Sequence, residues 1–209
     1  MSANSPKSLN EKSLAEGVAA LCKIDSDLKA VVDVFGPPPL WAREPGFATL
    51  LKIILEQQVS LASAQAAYDK LNNAVDELTP HTFLQLNDAD LKGFGFSRQK
   101  TRYGRILAEA ILSGELSFDA LVKMDDEHAH KALTNLTGIG TWTANIYLLM
   151  ALRRPDIYPP GDIALSKAMQ AVKKLDERPS NEEQQKIAEA WKPWRAVAAR
   201  ILWHYYLSS

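Results

Sequence analysis

Phe47, Leu50, Leu51, Ile54 and Leu55 stand at the i, i+3, i+4, i+7 and i+8 positions that place apolar side chains on one face of a helix. A stripe that wide must be covered by neighbouring elements, and the rest of the chain offers only more helices. Nowhere do apolar and polar residues alternate with the period of two that a half-buried strand needs, and no fixed-period repeat is present. The chain reads as all-α, built from ten or more short helices.

The remaining helices are marked by their ends. Leu14, Val18, Leu21 and Cys22 give helical spacing over Asn10 to Lys23. Asp25 or Ser26 can cap a second helix that Gly36-Pro37-Pro38-Pro39 ends after Phe35. An alanine-rich helix is expected from Leu61 to Val75, and Thr79-Pro80 opens another. Asn87 or Asp88 can cap a short helix stopping at Gly93, and Ser97 can cap a longer one from Arg98 to Leu112. Short helices over Phe118–Met124 and Asp126–Asn135 precede a helix over Thr143–Leu152 and another from Ile163 to about Lys174. A long amphipathic helix from Asn181 to about Leu207 should be kinked or split by Pro193.

With 209 residues and 46% apolar content, the chain suits one domain or two small lobes with a good core. Residues 1–8 lack an apolar signal core and are expected to form a disordered tail before a domain over 9–209. No apolar run approaches the roughly 20 residues needed to span a bilayer. The single Cys22 leaves no internal disulfide and no four-thiolate metal or iron–sulfur site within this chain, which fits a reducing compartment. The net charge of −1 announces no nucleic-acid partner, but the five basic residues Lys92, Arg98, Lys100, Arg102 and Arg105 fall in a stretch without an acid. Such a stretch reads equally as a basic binding face and as a solvated helix face. His128 and His130, two apart on a helix, cannot share one face, so a metal role for them is not expected.

One stretch carries a binding signal. Leu136-Thr137-Gly138-Ile139-Gly140-Thr141-Trp142-Thr143-Ala144 sets two glycines between apolar segments. Glycine lets a ligand approach the backbone, and a turn that opens a helix aims free N–H groups where an anion is favoured. A tight connection between two helices would look the same. Asp162, following Gly161 at the start of an apolar helix, is on its own a good N-cap.

Four segments in order resemble the helix-hairpin-helix DNA glycosylase superfamily, and within it the alkylation-repair, 3-methyladenine DNA glycosylase II type. They are Ile54-Leu-Glu-Gln-Gln-Val-Ser60, Gly95-Phe-Ser-Arg-Gln-Lys-Thr-Arg102, Leu136–Ala144 with Asp162, and Trp191-Lys-Pro-Trp-Arg-Ala-Val-Ala-Ala-Arg-Ile-Leu-Trp203. The resemblance implies a two-lobed helical domain with a cleft between the lobes. It implies an enzyme, acting as a monomer on double-stranded DNA in the cytoplasm or nucleus, that excises alkylated purines such as 3-methyladenine and 7-methylguanine. A non-catalytic damaged-DNA-binding module, or a glycosylase for deaminated or mismatched bases, are the competing readings.

Residue roles follow from the same resemblance. Asp162 matches the catalytic aspartate, a role compatible with capping because a cap fixes the carboxylate. Trp142 occupies the position where strand-cleaving members carry a lysine that forms a Schiff base, so no lyase activity is expected. Trp203 matches the base-stacking tryptophan, and aromatic faces suit cationic bases, at about 0.5–2 kcal/mol each. Where relatives place a pocket tyrosine this chain has Ile146, with Tyr147 beside it, so the base pocket is expected to be lined by Trp142, Trp203 and Tyr147. Gln58 matches the side chain that fills the hole left by the flipped base. Gly138, Gly140 and Thr143 would hold a phosphate through amides or the Thr143 hydroxyl, with Arg98 and Lys100 as further phosphate contacts. The carbonyls of Thr134, Leu136 and Ile139 match those that hold a monovalent cation in the family; no other cofactor is implied.

Overall fold

The computed structural model of the protein describes residues 8–209, so all but the last position of the expected 1–8 tail lies outside the described residues. Among the described residues every regular element is helical: thirteen α-helices and one 3-10 turn. The chain divides into two compact units. One is contiguous, Arg43–Tyr147; the other takes the chain up to Ala42 and again from Leu148 to Ser209.

In the contiguous unit the apolar stripe becomes α3 (Phe47–Glu56), against which α4 (Leu61–Asn73) and α7 (Arg98–Leu112) pack. Leu50, Leu51, Ile53 and Ile54 are fully buried there, each contributing about 1.5–3 kcal/mol of apolar transfer. The short helices α5 (Pro80–Gln85) and α6 (Asp88–Phe94) close the same core through Phe83 and Leu91. A β-carbon on Gly104 would lie 2.6 Å from Phe83 Cζ, so α5 and α7 meet as closely as they do because that position has no side chain. Helix α6 runs through Gly93, where a stop was expected. It ends at Gly95, whose left-handed backbone (φ +103) closes the last turn. Two more short helices, α8 (Phe118–Lys123) and α9 (Asp126–Thr134), lead to the glycine turn, and α10 (Thr141–Met150) starts two residues earlier than expected.

The discontinuous unit is laid out on its last helix. The expected C-terminal rod is split into α12 (Asn181–Ala188), a 3-10 turn at Glu189–Trp191 and α13 (Arg195–Ser208), with Pro193 in the gap. Onto α13 pack α1 (Glu11–Ile24), α2 (Ser26–Phe35) and α11 (Ile163–Val172). Gly17 of α1 sits against the Trp194 ring, where a β-carbon would come within 2.8 Å. Arg200 is completely buried in α13 and donates to the carbonyls of Leu40 (2.8 Å), Ala196 (2.9 Å) and Leu149 (2.9 Å). Three neutral acceptors leave the cost of burying the charge only partly offset, and burial pulls its pKa down to about 10.

Asp25 ties this unit together at the other end of α11. It caps α2 through the Asp27 and Leu28 amides, takes both Lys173 Nζ contacts (2.7 and 2.6 Å), and accepts from Trp191 Nε1 at 2.7 Å. Burial by itself would raise the carboxyl, but the hydrogen bonds from Lys173, Trp191 and Leu28 outweigh it and hold it below its ordinary value of 3.8. A carboxylate depressed on folding stabilises above its ordinary pKa, and that contribution is lost as pH falls through the folded value. Asp25→Asn should therefore lower the melting temperature at pH 7 by several degrees, the native protein losing stability below about pH 4 and the variant losing less. Parallel acid limbs in the two melting curves would remove Asp25 from the acid sensitivity.

Candidate functional site

Asp162 is the N-cap of α11. Its Oδ1 accepts from the Leu165 amide at 2.9 Å, so the carboxylate is fixed by the helix it starts. The same oxygen accepts from Trp203 Nε1 at 3.2 Å. Two donors on one oxygen orient the whole carboxylate, and the side chain stays half-exposed. Trp203, expected as a stacking face, is 8% exposed and spends its one polar atom on Asp162. Tyr158, which was not singled out from sequence, is buried and its hydroxyl reaches Gln184 Oε1 at 3.5 Å. Burial first, and the Asp162 charge second, push its phenol pKa up. Ile163, directly after Asp162, is 64% exposed, an aliphatic surface beside the acid that helical periodicity alone would have assigned to the core.

The glycine turn lies in the contiguous unit between α9 and α10. Gly138 has φ +99, and a β-carbon there would lie 2.3 Å from Tyr103 Cγ, so conformation and space both require glycine. Gly140 is exposed, has ordinary φ and has nothing within 4 Å of where a β-carbon would be. Internal packing therefore gives no reason for glycine at 140, whereas close approach of an external group to the backbone would. The Leu136 carbonyl accepts from the Ile139 amide at 3.1 Å, which closes the turn. Thr134, Leu136 and Ile139 would offer a cation neutral carbonyl oxygens only, a donor set that suits a monovalent ion such as the family resemblance implies. Among the described residues no cluster of three or more His, Cys, Asp or Glu side chains could hold a metal.

Several expected contacts have other work. Thr143 is 2% exposed and its hydroxyl accepts from Gln57 Nε2 at 2.8 Å, so that hydroxyl is turned inward and only its place at the helix start recommends it to a phosphate. Lys100 donates to the Leu55 carbonyl at 2.6 Å, satisfying an unpaired group at the end of α3, and burial lowers its pKa. Tyr147 is corrected from a pocket wall to a core residue. It is fully buried against Phe118 with ring centroids 5.8 Å apart, and its hydroxyl accepts from the Gly46 amide at 3.1 Å. No face of that ring is left for a base. Trp142 is half-buried at the start of α10, and Arg98 is exposed at the start of α7. Gln58 is exposed with φ +56, a left-handed backbone that costs a non-glycine residue about 1–2 kcal/mol.

Gln57 was missed by sequence reading. Its Nε2 donates both to the Gly138 carbonyl (2.9 Å) and to Thr143 Oγ1, joining the turn after α3 to the glycine turn. Glu56 before it makes a two-pronged ion pair with Arg43, at 3.1 and 3.0 Å.

The sequence pattern of the HhH-GPD superfamily of base excision DNA repair proteins matches residues 51–194. Two Bacillus subtilis proteins are similar: YfjP, 28% identical over 186 residues, and a DNA-3-methyladenine glycosylase, 34% identical over 119 residues. The matched regions take 85% and 57% of this chain but 65% and 39% of those proteins, so the chain spans less than two thirds of either. The solved structure of a Schizosaccharomyces pombe 3-methyladenine DNA glycosylase in complex with abasic DNA superposes with a TM-score of 0.85 at 24% identity, covering 90% of this chain and 95% of that one. At that identity the likeness speaks for the fold.

Proposed function

This chain belongs to the HhH-GPD superfamily of base excision DNA repair proteins, and from that membership we propose that it is a monofunctional DNA glycosylase that removes alkylated, cationic purines such as 3-methyladenine and 7-methylguanine. The observation that carries the reading is the carboxylate of Asp162, fixed by the Leu165 amide and the Trp203 indole at the start of α11. The names of the similar Bacillus subtilis and Schizosaccharomyces pombe proteins support the alkylated purine as substrate.

The chemistry follows from charge. A base alkylated at a ring nitrogen carries a positive charge, so when the C1′–N bond breaks its electron pair neutralises the leaving group. No acid is then needed on the base. Positive charge appears instead on the sugar, where a fixed carboxylate stabilises it. The water that attacks C1′ gives its proton to Asp162, and the products are the free base and an abasic site. Trp142 stands where a lyase needs an amine, so the strand stays intact. Gly138 and Gly140 present amides to a phosphate of double-stranded DNA, Arg98 adds a charge at the surface, and Gln58 enters the stack.

Incubation with methylated duplex DNA followed by mild alkali is expected to break the strand at methylated purines, and omission of alkali is expected to leave it whole. Breaks without alkali would overturn the monofunctional reading, and no breaks with it would overturn the glycosylase reading.

A further inference from the structure

The turn between α3 and α4 consists of few residues and is unusually well tied. Gln57 ends α3 with extended backbone, Gln58 follows with φ +56, and Ser60 caps α4 through the Ser63 amide. Both amide hydrogens of Gln57 are committed 81 and 86 residues away, to the Gly138 carbonyl and to Thr143 Oγ1. Lys100 fastens the same helix end to α7 through the Leu55 carbonyl, and Tyr103 of α7 backs Gly138 from the other side. Gln99 in turn donates to the Tyr103 hydroxyl. The turn that carries Gln58 and the turn that carries the glycines are therefore cross-linked by side chains.

We propose that Gln57 is a positioning residue that fixes the spacing between Gln58 and the phosphate seat at Gly138 and Gly140, so that gripping the backbone places Gln58 in the duplex. The inference rests on the reading of the chain as a base-flipping glycosylase. A half-buried amide that merely satisfied two acceptors would stabilise the fold and nothing more. Two features argue for more than that. The acceptor chosen is the carbonyl of the very glycine whose φ of +99 shapes the turn, and the next residue along from Gln57 is the exposed one held in a left-handed backbone. A rigid spacing matters because insertion into the stack is an all-or-none geometric event, and a displacement of about 1 Å can cost on the order of a hundredfold in rate.

The test is a double-mutant cycle on Gln57→Glu and Gln58→Ala, read as affinity for duplexes with and without an abasic site and as melting temperature. Gln57→Glu keeps the length of the side chain but sets a carboxylate against the Gly138 carbonyl. It is expected to weaken binding to abasic-site duplex about tenfold and to intact duplex by less than about threefold, and adding Gln58→Ala should cost nothing further. Losses that multiply, or equal losses on both duplexes, would reduce Gln57 to a stabilising contact. Should Gln57→Glu fail to fold, Thr143→Val removes one of the two partners and must show the same non-additivity with Gln58→Ala. Native protein that does not prefer abasic over intact duplex would instead overturn the glycosylase reading, an outcome distinct from an additive cycle in protein that does.

Discussion

Asp162→Asn is expected to slow release of methylated purines by roughly a hundredfold or more while leaving affinity for abasic-site DNA within about threefold of the native value. The substitution is unusually clean here. Asparagine caps a helix as well as aspartate does. Its carbonyl oxygen can still accept from the Leu165 amide and the Trp203 indole, the two donors that hold Oδ1. The cap and the indole contact are then preserved, while the negative charge and the proton acceptor are lost. Single-turnover excision measured beside abasic-DNA affinity separates chemistry from binding, and undiminished release would remove Asp162 from the mechanism. Trp203→Phe gives an intermediate point on the same assay, because it keeps an aromatic ring and withdraws only the indole N–H.

The two glycines of the hairpin should part company under substitution. Gly138→Ala must place a methyl group 2.3 Å from Tyr103 Cγ in a backbone of φ +99, which costs about 3 kcal/mol from strain and overpacking together. For a chain of this length that corresponds to a melting temperature lower by about 9 °C. Gly140→Ala meets nothing within 4 Å and should melt within about 1 °C of the native protein. Its cost should appear in DNA affinity, lower by about tenfold with a salt dependence reduced by about one phosphate contact. Calorimetry with binding titrations at several salt concentrations checks both. A Gly140→Ala protein that binds DNA as the native one does would leave the phosphate seat without its backbone.

What sequence could and could not disclose divides along the range of the interaction. Helix starts are local: Asp25, Thr79, Ser97 and Asp162 announce themselves as caps, and each one accepts from an amide two or three residues ahead. The apolar stripe of α3 and the break at Pro193 are legible for the same reason. Side chains whose partners lie far along the chain are not. Gln57 looks like ordinary polarity at a helix end until the Gly138 carbonyl is seen beside it. Lys100 sits in a basic run that suggests a phosphate, yet its ammonium closes the end of α3. Tyr147 is one residue from a position where an aromatic was looked for, yet both it and Ile146 are buried, and the tyrosine hydroxyl is taken by the Gly46 amide 101 residues away. Arg200 shows the same limit in reverse: its apolar neighbours suggest burial, but not the Leu40 and Leu149 carbonyls, 160 and 51 residues away, that receive it.

The route of the chain has a bearing on how the protein is made. The unit over Arg43–Tyr147 is continuous, so every residue of its core has been synthesised before α11 is translated. The other unit needs α1, α2 and α13 together, and α13 is made more than 150 residues after α2. Domains fold as units in the order in which they are synthesised where their contacts allow it. The nascent chain thus completes its glycine turn early, while Asp162 waits for Trp203, 41 residues later, before the indole can hold its carboxylate.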